Sequence, residues 1–296
     1  IVWDDLVRGR TEFHGQALSD PVLVRADGAF LYTMTSVIDD IDFNITHILR
    51  GEDHVTNTAV QIQLFEALDR PASTIKFGHT TLLMDVSGGP LSKRLGSLSL
   101  KSLREDGIEA MTINSLLARL GTSQPIEPHL HLDELAKSFD LSTFSRTPPR
   151  FDIHDLETLN HKIYQITPFA AVQNRLQVLA CSEVNAALWE LLRGNLRRLE
   201  DIRGWVSVCF GTIQPLGEDK EYIRRALELL PQNPWDETTW TAWTTALKTQ
   251  TGRKGKELFM PLRQAITGFD HGPEMKFLLP IIGYEKASQR LKQVSA

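Results

Sequence analysis

The alternation of strand-like and helical stretches breaks off at Gly88-Gly89, and almost everything after it carries helical spacing. One sheet-based domain does not accommodate that change of period, so the chain reads as α/β followed by all-α. In the first part, Val22-Leu23-Val24-Arg25 alternates as a strand does and turns at Asp27-Gly28. Phe30-Leu31-Tyr32-Thr33 and Ile45-Thr46-His47-Ile48-Leu49 read as short strands flanking a helical stretch. Asn57 is placed to cap a helix that carries Ile62, Phe65 and Leu68 and ends before Pro71. A third extended piece runs from Thr74 to Leu83. Strands alternating with helices predict a parallel, doubly wound sheet, and these segments make only half of one. A half-sheet leaves a long open edge, so the other half is expected upstream of Ile1.

Beyond the Gly-Gly loop, Glu109 to Leu120 reads as a helix closed by Gly121. Leu132, Leu135 and Phe139 recur at i, i+3 and i+7. Ile223, Leu227 and Leu230 make one apolar stripe, and Trp240, Trp243 and Leu247 make another. Pro148-Pro149 and the pair Pro231 and Pro234 punctuate these runs. Aromatic stripes at this spacing belong to a core rather than to a ligand box.

Composition narrows the setting. No apolar run approaches the roughly 18 residues that a membrane span needs, so no membrane partner is expected. Cys181 and Cys209 have no metal-ligand spacing and no partners for a disulfide scaffold, which fits a reducing, cytoplasmic compartment. The net charge of −5 argues against a generic nucleic-acid binder, but it is unevenly spread. Residues 1–88 hold 13 acidic and 6 basic side chains, residues 89–165 hold 10 and 9, and residues 166–296 hold 14 and 17. Arg193, Arg197, Arg198 and Arg203 form one basic cluster, and Arg253, Lys254, Lys256 and Arg263 a second. Solvated helix faces and an RNA-contacting surface would both look like this.

The most informative stretch is Pro90-Leu91-Ser92-Lys93-Arg94-Leu95-Gly96-Ser97. A lysine and a hydroxyl on a loop at the carboxyl edge of a parallel sheet lie where ligands bind, and can meet a triphosphate. Taken alone, Ser-Lys-Arg fits an ordinary exposed loop equally well. Three other features do not carry chemistry. Gly78-His79-Thr80 lies within a strand and has the wrong neighbours for a nucleotide motif. Gly252 to Lys256 lacks the P-loop glycine, having Gln250 there, and has Glu257 where Ser or Thr is needed. His47, His54 and His79 lack the spacing of a zinc site.

About forty residues upstream of the lysine loop stands Ile48-Leu49-Arg50-Gly51-Glu52-Asp53-His54, followed by a helix. With Val37-Ile38-Asp39-Asp40, Asn114-Ser115-Leu116-Leu117-Ala118-Arg119-Leu120-Gly121, Phe151-Asp152, Leu159-Asn160, Lys254-Gly255-Lys256 and Pro261-Leu262-Arg263, the chain resembles bacterial-type glutamyl-tRNA synthetases. The resemblance runs in order along essentially the whole chain. It implies the second half of a Rossmann-like class I catalytic domain, then a helical stem-contact region and an α-helical anticodon-binding domain. Residues 1–28 would end the acceptor-binding connective region, 29–88 would complete the catalytic domain, 89–165 would hold the "KMSKS"-type loop and stem contacts, and 166–296 would bind the anticodon. The "HIGH" motif would lie upstream, so this stretch alone is expected to be inactive.

The family's reaction implies ATP with Mg²⁺, L-glutamate and tRNA(Glu) as partners of a monomeric enzyme. Lys93 matches the second lysine of the family loop and would be catalytic, with Ser92 orienting the loop or a phosphate. Pro90 stands where the family's common pattern has its first lysine, so one cationic contact is absent. Backbone groups of Leu82 and Leu83 match the positions that hold adenine, and Glu52 and His54 would lie near the nucleotide or amino acid. Arg50 matches the arginine that takes the substrate's side-chain carboxylate, for which a planar guanidinium suits. Tyr32 matches a tyrosine lining that pocket, and Ser36 stands where some members have asparagine. Without the resemblance, Arg50 would read as a strand-end ion pair with Glu52 or Asp53, and Asp39 and Asp40 read as helix-terminus residues rather than an acid/base pair. Arg263 matches an anticodon-reading arginine, and the Gly272-Pro273 turn a loop that contacts the last anticodon base. A non-catalytic tRNA-binding protein on the same scaffold is the alternative.

Overall fold

The structure, a computed structural model, describes residues 1–89, 91 and 98–296. Along the chain it divides into two compact units, Ile1–Ser102 with Ala110–Leu156, and Leu103–Glu109 with Glu157–Ala296.

The first unit opens on an antiparallel hairpin, β1 (Val2–Asp5) and β2 (Gly9–Glu12), with Asp5 opposite Gly9. Asp5 shapes the turn, its Oδ1 accepting the N–H groups of Val7 and Arg8 at 3.0 Å each. Helix α1 (Tyr32–Asp42), strand β3 (His47–Gly51), helix α2 (Val55–Ala67) and strand β4 (Lys76–Thr80) follow. The strands β3 and β4 are parallel, with Arg50 opposite His79, because α2 carries the chain back to the starting edge. Leu6 donates its N–H to the Phe77 carbonyl at 2.8 Å, which ties the hairpin to β4. Val37 of α1, Ala59, Ile62 and Phe65 of α2, Phe77 of β4 and Trp3 of β1 bury a common core. Each large side chain here contributes about 1.5–3 kcal/mol by leaving water.

Several local expectations are corrected. Tyr32 starts a helix rather than lying in a strand, because Met34, Val37, Ile38 and Ile41 share one helical face. The alternation at Val22–Arg25 reduces to a single antiparallel bridge, Val24 to Phe30, across the turn where Gly28 has φ +84°. Asn57 is not a cap. A 3-10 turn over Glu52–His54 starts α2 two residues earlier, and Asn57 falls in its first turn. Leu68 lies just past the helix end and is exposed, leaving Ile62 and Phe65 as the buried pair.

Helices α3 (Leu100–Glu105), α4 (Ala110–Leu117) and α5 (Leu132–Lys137) come next. The helix expected over Glu109–Leu120 stops at Leu117, and Gly121, with φ +85°, falls in the turn that follows it rather than at the helix end. Phe139 lies beyond α5 and packs on Phe144, with ring centroids 5.7 Å apart. Nine further helices are described: α6 (Ile153–Ile166), α7 (Phe169–Val178), α8 (Ala186–Leu192), α9 (Ile202–Phe210), α10 (Lys220–Glu228), α11 (Thr239–Thr251), α12 (Lys256–Thr267), α13 (Met275–Ile282) and α14 (Tyr284–Ser295). In the second unit, Trp189 and Trp243 are fully buried, and each indole N–H is satisfied by a carbonyl, that of Thr167 at 2.8 Å and that of Ala226 at 2.9 Å. The Trp243 and Leu247 stripe is therefore core, with Trp240 packed at its edge.

Candidate functional site

Arg50 leaves the carboxyl end of β3 and is held from three elements. Its Nε donates to His79 Nε2 on β4 at 3.3 Å, and its Nη2 to Thr58 Oγ1 and Gln61 Oε1 on α2, at 2.5 Å each. Its Nη1 donates to the hydroxyl of Tyr32, in the first turn of α1, at 3.1 Å. Gln61 in turn donates to Ser36 Oγ at 2.7 Å. The structure therefore brings Tyr32, Ser36 and Arg50 together, and adds Thr58, Gln61 and His79.

None of these partners is a carboxylate. Glu52 is paired instead with Arg8 at 2.6 Å, and Asp53 lies 3.8 Å from His54, so neither makes the strand-end ion pair with Arg50. A guanidinium carries five N–H donors. The four bonds above leave one N–H on Nη1, beside the half-exposed Tyr32 hydroxyl, without a partner among the described residues. Asp39 and Asp40 lie in the last turn of α1. Burial pushes the Asp40 carboxyl up, Arg50 pulls it down, and Asp39 adds to the rise.

Behind Arg50, His79 is fully buried, and its Nδ1 lies 2.5 Å from Asp5 Oδ2. Burial on its own would raise the Asp5 carboxyl. Hydrogen bonds from the His79 ring and from the N–H groups of Arg8, Val7 and His79 outweigh it and hold Asp5 well below the ordinary carboxylate range.

The residues expected around the nucleotide are partly described. Leu82 and Leu83 follow β4, with Leu82 exposed. Met84 is anchored by backbone bonds to Pro149 and Phe151, and Asp85 Oδ1 accepts the N–H groups of Ser87 and Gly89 at 2.9 Å each. Ser92 and Lys93 lie outside the described residues, as does Pro90. His54 packs edge-on against Tyr32 at 5.6 Å, and its buried Nδ1 has no hydrogen-bond partner among the described residues.

In the second unit, Arg263 donates from Nη2 to the Pro273 carbonyl at 2.9 Å, which joins those two predicted residues. Its Nη1 is buried without a partner among the described residues, and burial lowers the guanidinium pKa. The basic clusters prove less uniform than the sequence suggests. Arg193 pairs with Glu190 at 2.5 Å, and Arg253 pairs with Asp219 at 2.6 Å and lies 4.1 Å over the Tyr222 ring, while Lys254 and Lys256 are exposed.

A model of the class I tRNA synthetases (E and Q), catalytic domain, matches residues 1–158, and one of an anticodon binding domain matches residues 158–295. The chain belongs to the class I tRNA synthetases of the E and Q type. Among curated relatives of this synthetase chain, a glutamate–tRNA ligase of Azospirillum brasilense is 50% identical over 292 residues, 98% of this chain and 65% of the relative. Glutamate–tRNA ligase 1 of Rhodospirillum rubrum is 52% identical over 293 residues, 98% of this chain and 64% of that protein. The synthetase chain thus spans about 65% of the length of the curated relatives it matches. The solved structure of a glutamate tRNA ligase from Elizabethkingia meningosepticum in complex with its amino acid superposes with a TM-score of 0.80 at 23% identity, over 100% of this chain and 66% of that one. That likeness establishes the same α/β-then-helical fold.

Sequence reasoning passed over Asp5, Thr58 and Gln61, and set His79 aside. The available signal was a histidine inside a strand whose neighbours Phe77 and Gly78 are buried, a position that demands hydrogen-bond partners.

Proposed function

We propose that this chain supplies the glutamate-selecting and tRNA-gripping parts of an enzyme that joins L-glutamate to tRNA(Glu) in the cytoplasm, acting as a monomer. The observation that carries the reading is the Arg50 guanidinium, held by hydrogen bonds to Tyr32, Thr58, Gln61 and His79 and ion-paired to no carboxylate among the described residues. A cation fixed in this way is ready for a ligand carboxylate. Its free Nη1–H and the Tyr32 hydroxyl point to a two-point grip on the substrate's side chain. Ser36 sets the orientation of Gln61, and through it the far side of the guanidinium.

In the first step, a glutamate carboxylate oxygen attacks the α-phosphorus of ATP. The bond to the bridging oxygen breaks, giving glutamyl adenylate and pyrophosphate. In the second, a terminal ribose hydroxyl of the tRNA attacks the acyl carbon and AMP leaves. Lys93 would neutralise charge that grows on the phosphates in the first step, which lowers the barrier more than it tightens ground-state binding. Ser92 would orient the same loop or a phosphate. Backbone groups of Leu82 and Leu83 would hold adenine, with Glu52 and His54 nearby. Among the described residues no group of His, Cys, Asp and Glu could hold a metal ion, so Mg²⁺ is assigned only as the companion of the ATP phosphates.

We place the end of the connective region at 1–28, the catalytic half-domain at 29–88, the stem-contact region at 89–165 and the anticodon domain at 166–296. In the last, the Arg263 guanidinium and the Pro273 turn would read splayed anticodon bases. Groups from both halves of a nucleotide fold must converge on one ATP, so the chain by itself would form no adenylate. Full-length protein should catalyse glutamate-dependent ATP–pyrophosphate exchange in the presence of tRNA, and Lys93→Ala should cut kcat sharply. Exchange driven by glutamine or aspartate in place of glutamate would overturn the substrate assignment.

A further inference from the structure

We infer that Asp5 and His79 form a positioning pair that fixes the tautomer of the His79 ring and, through it, the plane of the Arg50 guanidinium. The inference rests on Arg50 receiving the substrate's side-chain carboxylate.

The imidazole sits between two groups of fixed polarity. A carboxylate only accepts hydrogen bonds, and a guanidinium only donates them. Asp5 Oδ2 faces Nδ1, and Arg50 Nε–H faces Nε2 at 3.3 Å. One neutral tautomer satisfies both, with the proton on Nδ1 and the lone pair on Nε2. The other would point an N–H at the Arg50 cation, and so would the doubly protonated ring. Thr58 Oγ1, 2.9 Å from Nε2, lies on the same edge of the ring.

The geometry gives the pair its leverage. Arg50 and His79 are directly opposite in the parallel register, so their side chains leave the same face of the sheet. His79 anchors Nε, while Thr58 and Gln61 anchor Nη2, which fixes the guanidinium plane and turns Nη1 toward Tyr32. The side chains of His79 and Asp5 are both 0% exposed, so neither touches substrate and both act through Arg50. Asp5 also builds the hairpin turn from which Arg8 reaches Glu52 at 2.6 Å. One carboxylate therefore steadies both ends of Arg50-Gly51-Glu52.

The test uses full-length protein and steady-state ATP–pyrophosphate exchange. In Asp5→Asn, the amide oxygen can still accept the N–H groups of Val7, Arg8 and His79, which keeps the turn. Its NH₂ group would meet Nδ1 and drive the proton to Nε2, against Arg50. We expect the KM for glutamate to rise by about tenfold or more while the KM for ATP changes less than about twofold. His79→Phe, which keeps the ring volume, should do the same, and His79→Gln, which offers an acceptor and a donor, should recover part of the loss. Histidine ¹⁵N spectra should show the proton on Nδ1 in the native protein and on Nε2 in Asp5→Asn. Arg50→Ala separates the two layers of the argument. If it raises the glutamate KM while the Asp5 and His79 variants do not, the positioning role is wrong and the pocket stands. If Arg50→Ala leaves the glutamate KM unchanged, the pocket itself is wrong and the inference goes with it. Parallel rises in both KM values would mean general loosening and would also overturn the positioning role.

Discussion

Arg290 of α14 donates its Nη1–H to the Ile266 carbonyl in the last turn of α12, 2.8 Å away, although only 4% of the residue is exposed. Its Nη2 reaches the carbonyls of Val208 and Gly211 at the end of α9, at 2.9 and 3.2 Å. No carboxylate pairs with it among the described residues, and burial lowers its pKa. Helix C-termini carry partial negative charge and unpaired carbonyls, so one cation satisfies two helix ends. Arg290→Met keeps much of the packing but leaves three carbonyls without a donor. A loss of about 3 kcal/mol is expected, read from urea unfolding midpoints, with Arg290→Lys recovering part of it. An unchanged midpoint in Arg290→Met would show that water or backbone shifts satisfy these carbonyls instead.

Gly272 has φ +133°, and a Cβ placed there would lie 2.1 Å from Trp205 Cη2. Trp205 is itself packed on Phe269, with ring centroids 4.9 Å apart, so it has little room to yield. In Gly272→Ala the turn must move, and with it the Pro273 carbonyl that accepts from Arg263. We expect a loss of about 1–3 kcal/mol and weaker tRNA binding. Gly283 is the control, since its φ of +81° is also left-handed but nothing lies within 4 Å of an added Cβ. Gly283→Ala should show backbone strain alone and keep its tRNA affinity. Equal tRNA affinities for the two variants would disconnect the Gly272 turn from RNA binding.

How far the sequence revealed this arrangement depends on the range of the interaction. The β3-α2-β4 unit was legible because Ile48, Ile62, Phe65 and Phe77 carry their periods locally. The helical second unit was legible for the same reason, down to Trp243 and Leu247 as core. Helix starts were less so. Tyr32 and Phe30 favour strands by composition, and the helical face of Met34, Val37, Ile38 and Ile41, buried at Val37, outweighs that preference from Tyr32 onward. Of the candidate site, Tyr32, Ser36 and Arg50 could be named through the resemblance. Asp5 could not, because 74 positions separate it from His79 and no local pattern announces a contact at that distance.

The basic stretch Arg253-Lys254-Gly255-Lys256 combines two kinds of cation. Arg253 is committed to Asp219 and the Tyr222 ring, which joins the start of α10 to the segment before α12. Lys254 and Lys256 are exposed. Lys254→Ala and Lys256→Ala should each weaken tRNA binding across tRNA sequences and lower the slope of log K against log salt by about 1. Arg253→Ala should chiefly lower the thermal midpoint, because it removes a cation–π contact and a hydrogen-bonded ion pair. Salt titrations of binding alongside thermal unfolding separate the two classes. A salt slope unaffected by both lysine variants would place the RNA elsewhere on this unit.

Asp5 gives a pH dependence with a definite sign. Its folded pKa lies well below its ordinary value of 3.8. A carboxyl depressed in the folded state stabilises above its unfolded pKa, and that contribution is lost as pH falls below it, because the unfolded chain then binds the proton more readily. Other carboxyls, among them Asp85, Asp219 and Asp236, are depressed as well, so the total acid response does not isolate Asp5. The difference between the native protein and Asp5→Asn cancels those shared carboxyls. Measured by urea unfolding from pH 6 downward, the native advantage should stay constant to about pH 4 and then shrink, because protonated aspartic acid and asparagine are both neutral. An advantage that held steady from pH 6 to pH 3 would mean that Asp5 does not enter the fold as a carboxylate, and the tautomer argument for His79 would lose its fixed acceptor.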